Sequence, residues 1–268
     1  VMDTGIFRHM DFDTRIAGFA DFVGRKKYLY DDNGHGTHVA GIIAGSGKGS
    51  NGKYRGIAPD TFLVSVKVLD KSGNGKIENV VEAAGWIIEN KSAMNIRVVN
   101  ISFGTRAKME NGPAIETGED DYALIMAVEK MWDSGIVVVA AAGNNGPGNT
   151  SVTAPGISKK IITVGAFDDK NFFSGRGPTR ECIVKPEVVV TGSNIIACNN
   201  HQGRYSSKSG TSMAAPVVSG AVARLIKNNP DITPKEVKIW MKSCCKKINV
   251  PSEKQGWGVL DIRKFVTG

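Results

Sequence analysis

Two kinds of apolar segment alternate along the chain. The first kind is a short β-branched run bounded by Gly, Asp, Asn or Pro, which is typical of buried parallel strands; such runs cover 62–69, 96–103, 135–143, 160–167 and 185–192. The second kind places apolar residues at helical spacing, over 36–45, 77–90, 122–135, 211–229 and 233–244. This alternation predicts parallel βαβ units and therefore an α/β fold, a three-layer sandwich with a mostly parallel central sheet flanked by helices.

The pattern shows neither an internal repeat nor a linker, so we expect one domain over residues 1–268. The chain begins inside an apolar run, "VMD", which predicts further residues upstream of Val1. No basic-then-apolar leader is present, so we expect no signal peptide in this chain. No uncharged apolar run reaches the 18 residues that a membrane span needs, and we expect none.

Charge and cysteine usage exclude some classes of protein. The formal net charge is +8, but the densest basic clusters, at 24–28 and 244–248, lack the aromatic residues on which bases stack. This favours a solvated surface, and we expect no nucleic-acid partner. The four cysteines form no C-x-x-C pair, so a zinc site is not expected. Adjacent cysteines at 244 and 245 are typical of reduced thiols; this favours a reducing compartment but leaves both a secreted and a cytoplasmic protein open.

Candidate chemistry lies just after the predicted strands, where open α/β sheets bind their ligands. Asp3 ends the first strand, Asn144 follows the strand at 135–143, and Ser212 opens the helix at 211–229. A serine at a helix start is usually a cap. The same place also offers free N–H groups and positive potential to an oxyanion, so a nucleophile is the second interpretation.

Four histidines could serve such a nucleophile as its base. His35 lies between two glycines, whereas His38, three residues on, faces Ile42 and is expected to be a partly buried helix residue. The His-x-x-His pair could instead bind a metal, but no Glu lies between the two and no further ligand is evident. His9 and His201 lie in polar loops and are expected to be structural or exposed to solvent.

Four motifs occur in one order along the chain: "VMDTG", "NGHGTHVAG", "AAAGN" and "SGTSMAAP". With these four motifs in this order, the chain resembles the subtilases of the bacterial type. Subtilases are the family of subtilisin-like serine peptidases. The resemblance implies that Ser212 is the nucleophile, His35 the general base and Asp3 the residue that orients it. It implies that Asn144 and the Ser212 N–H bind the oxyanion. The implied activity is that of a serine endopeptidase, which hydrolyses peptide bonds of extended polypeptides.

The resemblance also implies where a peptide or protein substrate binds. Ser102, Phe103 and Gly104 would form one side of the primary pocket, with Ala142 and Gly143 as its floor; Gly73 and Gly75 would form the other edge, with Ile77 beside a second apolar pocket. Thr153 would replace a glycine often found in the pocket wall and would narrow the pocket. No acid stands at the pocket base, so we expect an apolar or broad preference.

Partners and cofactors follow from the same resemblance. The chemistry needs no cofactor, and structural Ca²⁺ is common in the family. The Gly-rich loop at 45–54 occupies a region where some members bind it, but it carries no carboxylate and its ligands cannot be assigned. A prodomain or inhibitor is an expected partner, the prodomain lies outside this chain, and a monomer is expected. An acidic insertion at 110–121 predicts a solvated flap.

The alternative function is a catalytically silent module that uses the same fold for peptide binding or regulation. Silent relatives of an enzyme usually lose a member of the catalytic set. Here all four motif positions are filled, which favours the peptidase.

Overall fold

A sheet of nine strands forms the centre of the protein in the computed structural model, which describes residues 1–105 and 119–268. Most of the acidic insertion at 110–121 therefore lies outside the described residues. The strands are β1 Met2–Asp3, β2 Ile16–Asp21, β3 Leu63–Lys67, β4 Val98–Ile101, β5 Val137–Ala141, β6 Ile162–Ala166, β7 Val188–Val190, β10 Cys245–Lys246 and β11 Val259–Leu260. Their order is β10-β11-β7-β6-β5-β4-β1-β3-β2. All neighbours are parallel except β10 and β11.

A separate antiparallel hairpin joins β8 Ile195–Cys198 to β9 Tyr205–Lys208. The helices are α1 His35–Ala44, α2 Ile77–Asn90, α3 Glu119–Asp133, α4 Thr211–Asn228, α5 Pro234–Ser243, α6 Ser252–Gln255 and α7 Ile262–Val266, with a 3₁₀ turn over Lys48–Ser50. α5 begins with Thr233 as its cap and Glu236 completing a capping box.

The helices lie on both faces of the sheet. α1, α4, α5 and α7 contribute to one hydrophobic core, and α2 and α3 to the other. The sequence of β5 is apolar throughout because both faces of this strand are buried. Val137, Val139 and Ala141 face the first core, whereas Val138 and Ala140 face the second. The predicted three-layer α/β sandwich is confirmed.

The apolar pattern did not predict every element of the described residues, and β2 and the β8–β9 hairpin are two examples. β2 forms the edge of the sheet from a run, "IAGFAD", that is poor in β-branched residues. The β8–β9 hairpin is short, and most of its residues are partly exposed. Such strands are stabilised by their pairing partners more than by their own side chains.

All four cysteines are free thiols, with Cys198 buried and Cys182 exposed. Within 1–105 and 119–268, none of the helices has the length and apolar character that crossing a bilayer demands.

Candidate active site

Asp3 and His35 form a direct hydrogen bond. The His35 Nδ1 lies 2.8 Å from Asp3 Oδ1, and the Asp3 carboxylate is fully buried. Asp3 is the last residue of β1 and His35 the first of α1. Asp3 Oδ1 also accepts from the Thr4 N–H, but Asp3 Oδ2 is buried with no hydrogen-bond partner among the described residues. The carboxylate therefore relies on His35 as its main polar partner.

The electrostatic setting of His35 follows from this pairing. Burial disfavours the imidazolium, and Lys208 adds repulsion, but the charge and hydrogen bond of Asp3 outweigh both and raise the pKa of His35. With Nδ1–H donating to Asp3, the neutral ring leaves Nε2 as an acceptor for a proton. This is the tautomer that a general base needs.

A second carboxylate fixes the turn that carries His35. Asp31 accepts hydrogen bonds from the N–H groups of Gly34 and Thr37 and from the hydroxyl of Thr4, the neighbour of Asp3. The Thr4 hydroxyl in turn accepts from the Gly36 N–H. Buried Lys67 donates to the Thr4 carbonyl oxygen at 2.6 Å. The strand end and the helix start are thus held against each other by charge-assisted hydrogen bonds.

The other histidines lie in different surroundings. His38 is fully buried, its Nε2 lies 2.9 Å from the Ser206 carbonyl oxygen, and burial lowers its pKa to about 4. His9 is buried with its Nε2 on the Arg204 carbonyl oxygen, and His201 is exposed. His38 therefore supports the β8–β9 hairpin, and among these histidines only His35 pairs with Asp3.

Ser212 is held by two reciprocal hydrogen bonds with Ser102. The Ser212 hydroxyl donates to the Ser102 carbonyl oxygen at 2.8 Å, and the Ser102 hydroxyl donates to the Ser212 carbonyl oxygen at 2.9 Å. The second bond has a backbone cause. Pro216 lies four residues after Ser212 within α4 and has no N–H to donate to that carbonyl. Ser102 supplies the missing donor.

Asn144 has its side-chain amide oriented by Thr211. The Asn144 Oδ1 accepts from the Thr211 N–H at 3.0 Å and from the Thr211 hydroxyl at 3.1 Å. The Thr211 hydroxyl also accepts from the Gly143 N–H. Because Oδ1 is engaged on this side, the amide turns its NH₂ group away from Thr211. Asn144 is exposed, and its Nδ2 lies 3.2 Å from a Cβ built on Gly210, the residue before Thr211.

The Asp3–His35 pair and the segment around Ser212 both lie at the carboxyl edge of the sheet. β1 ends at Asp3 and pairs with β4, which leads into Ser102. α1 begins at His35 and α4 begins one residue before Ser212, and both helices pack into the same core. The edge thus carries a buried carboxylate, a paired imidazole, a partly exposed hydroxyl and an oriented amide.

The predicted substrate-binding residues fall on two sides of this edge. Ser102, Phe103 and Gly104 follow β4, and Ala142 and Gly143 follow β5, its parallel neighbour. Thr153 lies between them, since a Cβ built on Gly143 would stand 2.7 Å from Thr153 Oγ1 and one built on Gly104 would overlap that atom. Gly143 has φ +92°, a left-handed conformation that favours glycine.

The other predicted edge lies beside His35. Asn33 donates to the Lys71 carbonyl oxygen and accepts from the His35 N–H. This contact places the exposed loop with Gly73 and Gly75 beside Asn33, in the turn that precedes His35. Ile77 is the first residue of α2 and packs against the second core.

The Gly-rich loop at 45–54 is arranged around Asp11. The N–H groups of Gly47 and Gly49 donate to the buried Asp11 carboxylate, and Tyr205 adds its hydroxyl. Ca²⁺ needs oxygen ligands, so amide hydrogens pointing at the carboxylate do not fit a calcium ion at this place. Structural Ca²⁺ stays a prediction without assigned ligands. Among the described residues, His9, Asp11 and Cys198 form a group of potential metal ligands.

Sequence reasoning missed three contributions to the site. The Thr211 hydroxyl orients Asn144, the Ser102 hydroxyl supports Ser212, and Asp31 ties Thr4 to the His35 turn. A signal for Ser102 was present, because a proline inside an otherwise helical run leaves the carbonyl four residues earlier without its donor. The other two depend on contacts between distant segments.

Comparisons with known proteins agree with this geometry. The sequence profile described as the subtilase family matches residues 1–258. The serine protease AprX of Bacillus subtilis (strain 168) is 42% identical over 270 residues, which cover 91% of this chain and 60% of AprX. Subtilisin DY of Bacillus licheniformis is 35% identical over 240 residues, 89% of this chain and 79% of that protein. The solved structure of sphericase is similar with a TM-score of 0.82 at 26% identity, covering 97% of this chain and 89% of that one.

Proposed function

Because the chain belongs to the subtilase family, we propose that it is a serine endopeptidase that hydrolyses peptide bonds of extended polypeptides. It spans 60% of the length of AprX, and proteins whose names include serine protease and subtilisin are among its relatives. The observation that carries the proposal is the 2.8 Å hydrogen bond between Asp3 Oδ1 and His35 Nδ1, at the sheet edge that also holds Ser212.

In the proposed reaction Ser212 is the nucleophile. Its hydroxyl first turns from the Ser102 carbonyl oxygen towards His35 by rotation about the Cα–Cβ bond, since hydrogen bonds of catalytic groups often tighten only with substrate. As the Ser212 Oγ–carbon bond forms, His35 Nε2 takes the proton. The same proton passes to the leaving amine when the peptide C–N bond breaks, and water then hydrolyses the acyl-enzyme.

Asp3 holds the imidazole and stabilises its charged form. Its buried carboxylate would fix the Nδ1–H tautomer, and the upward shift that its charge gives the pKa of His35 supports this role. We propose no proton transfer to Asp3.

The oxyanion would be held by the Asn144 NH₂ group and the Ser212 backbone N–H. Support for the first donor is the engagement of Asn144 Oδ1 by Thr211. Support for the second is the place of Ser212 in the first turn of α4, where N–H groups have no partner within the helix. Preorganised donors of this kind stabilise the charge that develops in the transition state.

Labelling with a fluorophosphonate probe tests the proposal. The unaltered protein should be labelled at one serine, Ser212→Ala should not be labelled, and Ser207→Ala, at an exposed position of β9, serves as the control and should be labelled like the unaltered protein. Peptide hydrolysis by Ser212→Ala should fall by about 10⁶, the loss known for the triad serine of a subtilisin. A folded protein that takes up no label would favour the alternative, a silent peptide-binding or regulatory module.

A further inference from the structure

The space between the two predicted pocket walls is filled by one side chain. Thr153 Oγ1 is so close to Gly104 that a Cβ on that glycine would overlap it, and its Cγ2 lies 3.3 Å from a Cβ built on Gly143. The Thr153 Oγ1 therefore lies beside both glycines, and its Cγ2 lies beside Gly143. Only 9% of the Thr153 surface is exposed. Thr153 is therefore almost fully buried between the two glycine segments.

The backbone at Thr153 is anchored to both walls. The Thr153 N–H donates to the Ala142 carbonyl oxygen at 3.2 Å, and the Thr105 N–H donates to the Ala154 carbonyl oxygen at 2.9 Å. These bonds cross to the segments after β5 and β4. The Thr153 side chain is β-branched and rotates little. With its backbone anchored and its χ1 rotation restricted, the Thr153 side chain is expected to keep its position between the two segments.

Both walls are also attached to the nucleophile turn. Ser102, on the wall after β4, exchanges hydrogen bonds with Ser212, and Gly143, on the wall after β5, donates to the Thr211 hydroxyl. Under the proposed function, a substrate carbonyl bound at Ser212 would place its acyl-side residue beside these two segments. The size of the gap between these segments sets the size of the side chain that the substrate can have there.

We infer that Thr153 restricts the substrate residue on the acyl side of the scissile bond to small side chains, those of Gly, Ala and Ser. The inference rests on the proposed function and names its substrate class. It narrows the apolar or broad preference expected from the absence of an acid at the pocket base. The limit is steric: a phenyl or isobutyl group would have to displace Thr153, whose backbone is held from both sides.

The test compares two substrates, succinyl-Ala-Ala-Pro-Ala-p-nitroanilide and succinyl-Ala-Ala-Pro-Phe-p-nitroanilide. The unaltered protein should prefer the Ala substrate in kcat/KM by at least about 10-fold, since steric mismatch of even one methylene discriminates by about 10–200-fold. Thr153→Gly should raise the ratio of Phe to Ala by about 100-fold, and Thr153→Ala should give an intermediate ratio. A graded series keeps the test decisive if one variant folds poorly.

Thr153→Val is the matched control, because it keeps the branched shape and loses the hydroxyl. It should retain the preference of the unaltered protein for Ala. Equal cleavage of both substrates by the unaltered protein would overturn the inference. A switch to Phe in Thr153→Val would also overturn it, since the hydroxyl and not the volume would then set the preference.

A titration with diisopropyl fluorophosphate separates this inference from the proposed function. The reagent has no amino-acid side chain and reports only the reactivity of Ser212. If Ser212 is labelled, the proposed function holds, and the ratios of kcat/KM for the Phe and Ala substrates then test only the role of Thr153. If a folded sample is not labelled, the proposed function fails and the inference falls with it.

Discussion

Ser102 and Ser212 each donate a hydroxyl hydrogen bond to the other's carbonyl oxygen, at distances of 2.8 and 2.9 Å. The pair connects the strand-end segment after β4 with the first turn of α4. Its origin lies in Pro216, which leaves the Ser212 carbonyl without a helical partner. The proline therefore couples the helix to the substrate-binding segment through a serine more than a hundred positions earlier in the chain.

This coupling predicts the outcome of a double-mutant cycle. Ser102→Ala should lower the free energy of unfolding by about 1–3 kcal/mol, because the buried Ser212 carbonyl then has no donor. In a Pro216→Ala background the loss should be smaller, since the substituted alanine can donate its own N–H to that carbonyl. Unfolding in urea measures both differences. Asn100 loses its Ser102 acceptor in both backgrounds, so this cost cancels in the cycle. Equal losses in the two backgrounds would contradict the role given to Pro216.

Thr211→Val should lower kcat more than it changes KM. The variant removes the hydroxyl that donates to Asn144 Oδ1 but keeps the Thr211 N–H on the same oxygen. Losing one oxyanion donor outright costs about 10²–10³ in kcat in a subtilisin, so for a loosened donor we expect a smaller loss, about 10-fold. Steady-state kinetics should show the loss in kcat with a smaller change in KM. Thr211→Ser keeps the hydroxyl and should stay near the unaltered protein; an equal loss in both variants would count against this role.

The pH dependence of kcat/KM should report the Asp3–His35 pair. His35 acts when neutral, so activity rises as pH rises through its pKa, which Asp3 holds above the ordinary value of 6.5. Asp3→Asn removes the raising charge and leaves burial, which lowers the pKa. The acid limb of the profile should therefore move to lower pH, while kcat falls by about 10⁴ because the tautomer is no longer fixed. An acid limb that stays in place would mean that another group controls it.

The sequence predicted the fold well because the buried strands carry their own signal. β5 is apolar on both faces, and the limits of the five predicted helices agree with the apolar periodicity to within a few residues. The arrangement of the site depends on contacts over long sequence separations. Ser102 and Ser212 are 110 residues apart and Asn144 and Thr211 are 67 apart. Hydrogen bonds between such distant segments cannot be predicted from a local sequence pattern. The motifs therefore identified these candidate residues, but they did not predict the hydrogen bonds that orient them.

His38 and His35 lie one helical turn apart and should respond differently to removal. His38 Nε2 contacts the carbonyl oxygens of Ile195 and Ser206 in the β8–β9 hairpin, so His38→Ala should lower the free energy of unfolding by about 1–3 kcal/mol. Its turnover per labelled active site should change little, whereas His35→Ala should lose most turnover. Equal losses of turnover in the two variants would mean that the wrong base has been assigned.

The free energy of unfolding should also depend on the protonation of His38 at acid pH. Burial lowers the pKa of native His38 to about 4, whereas in the unfolded chain it is near 6.5. Between these values the unfolded state binds a proton that the native state does not, so stability falls as pH decreases from about 6.5 to about 4. His38→Ala lacks this group and should lose less stability over that interval, as urea unfolding at several pH values would measure. An identical decrease in both proteins would show that other groups cause the acid sensitivity.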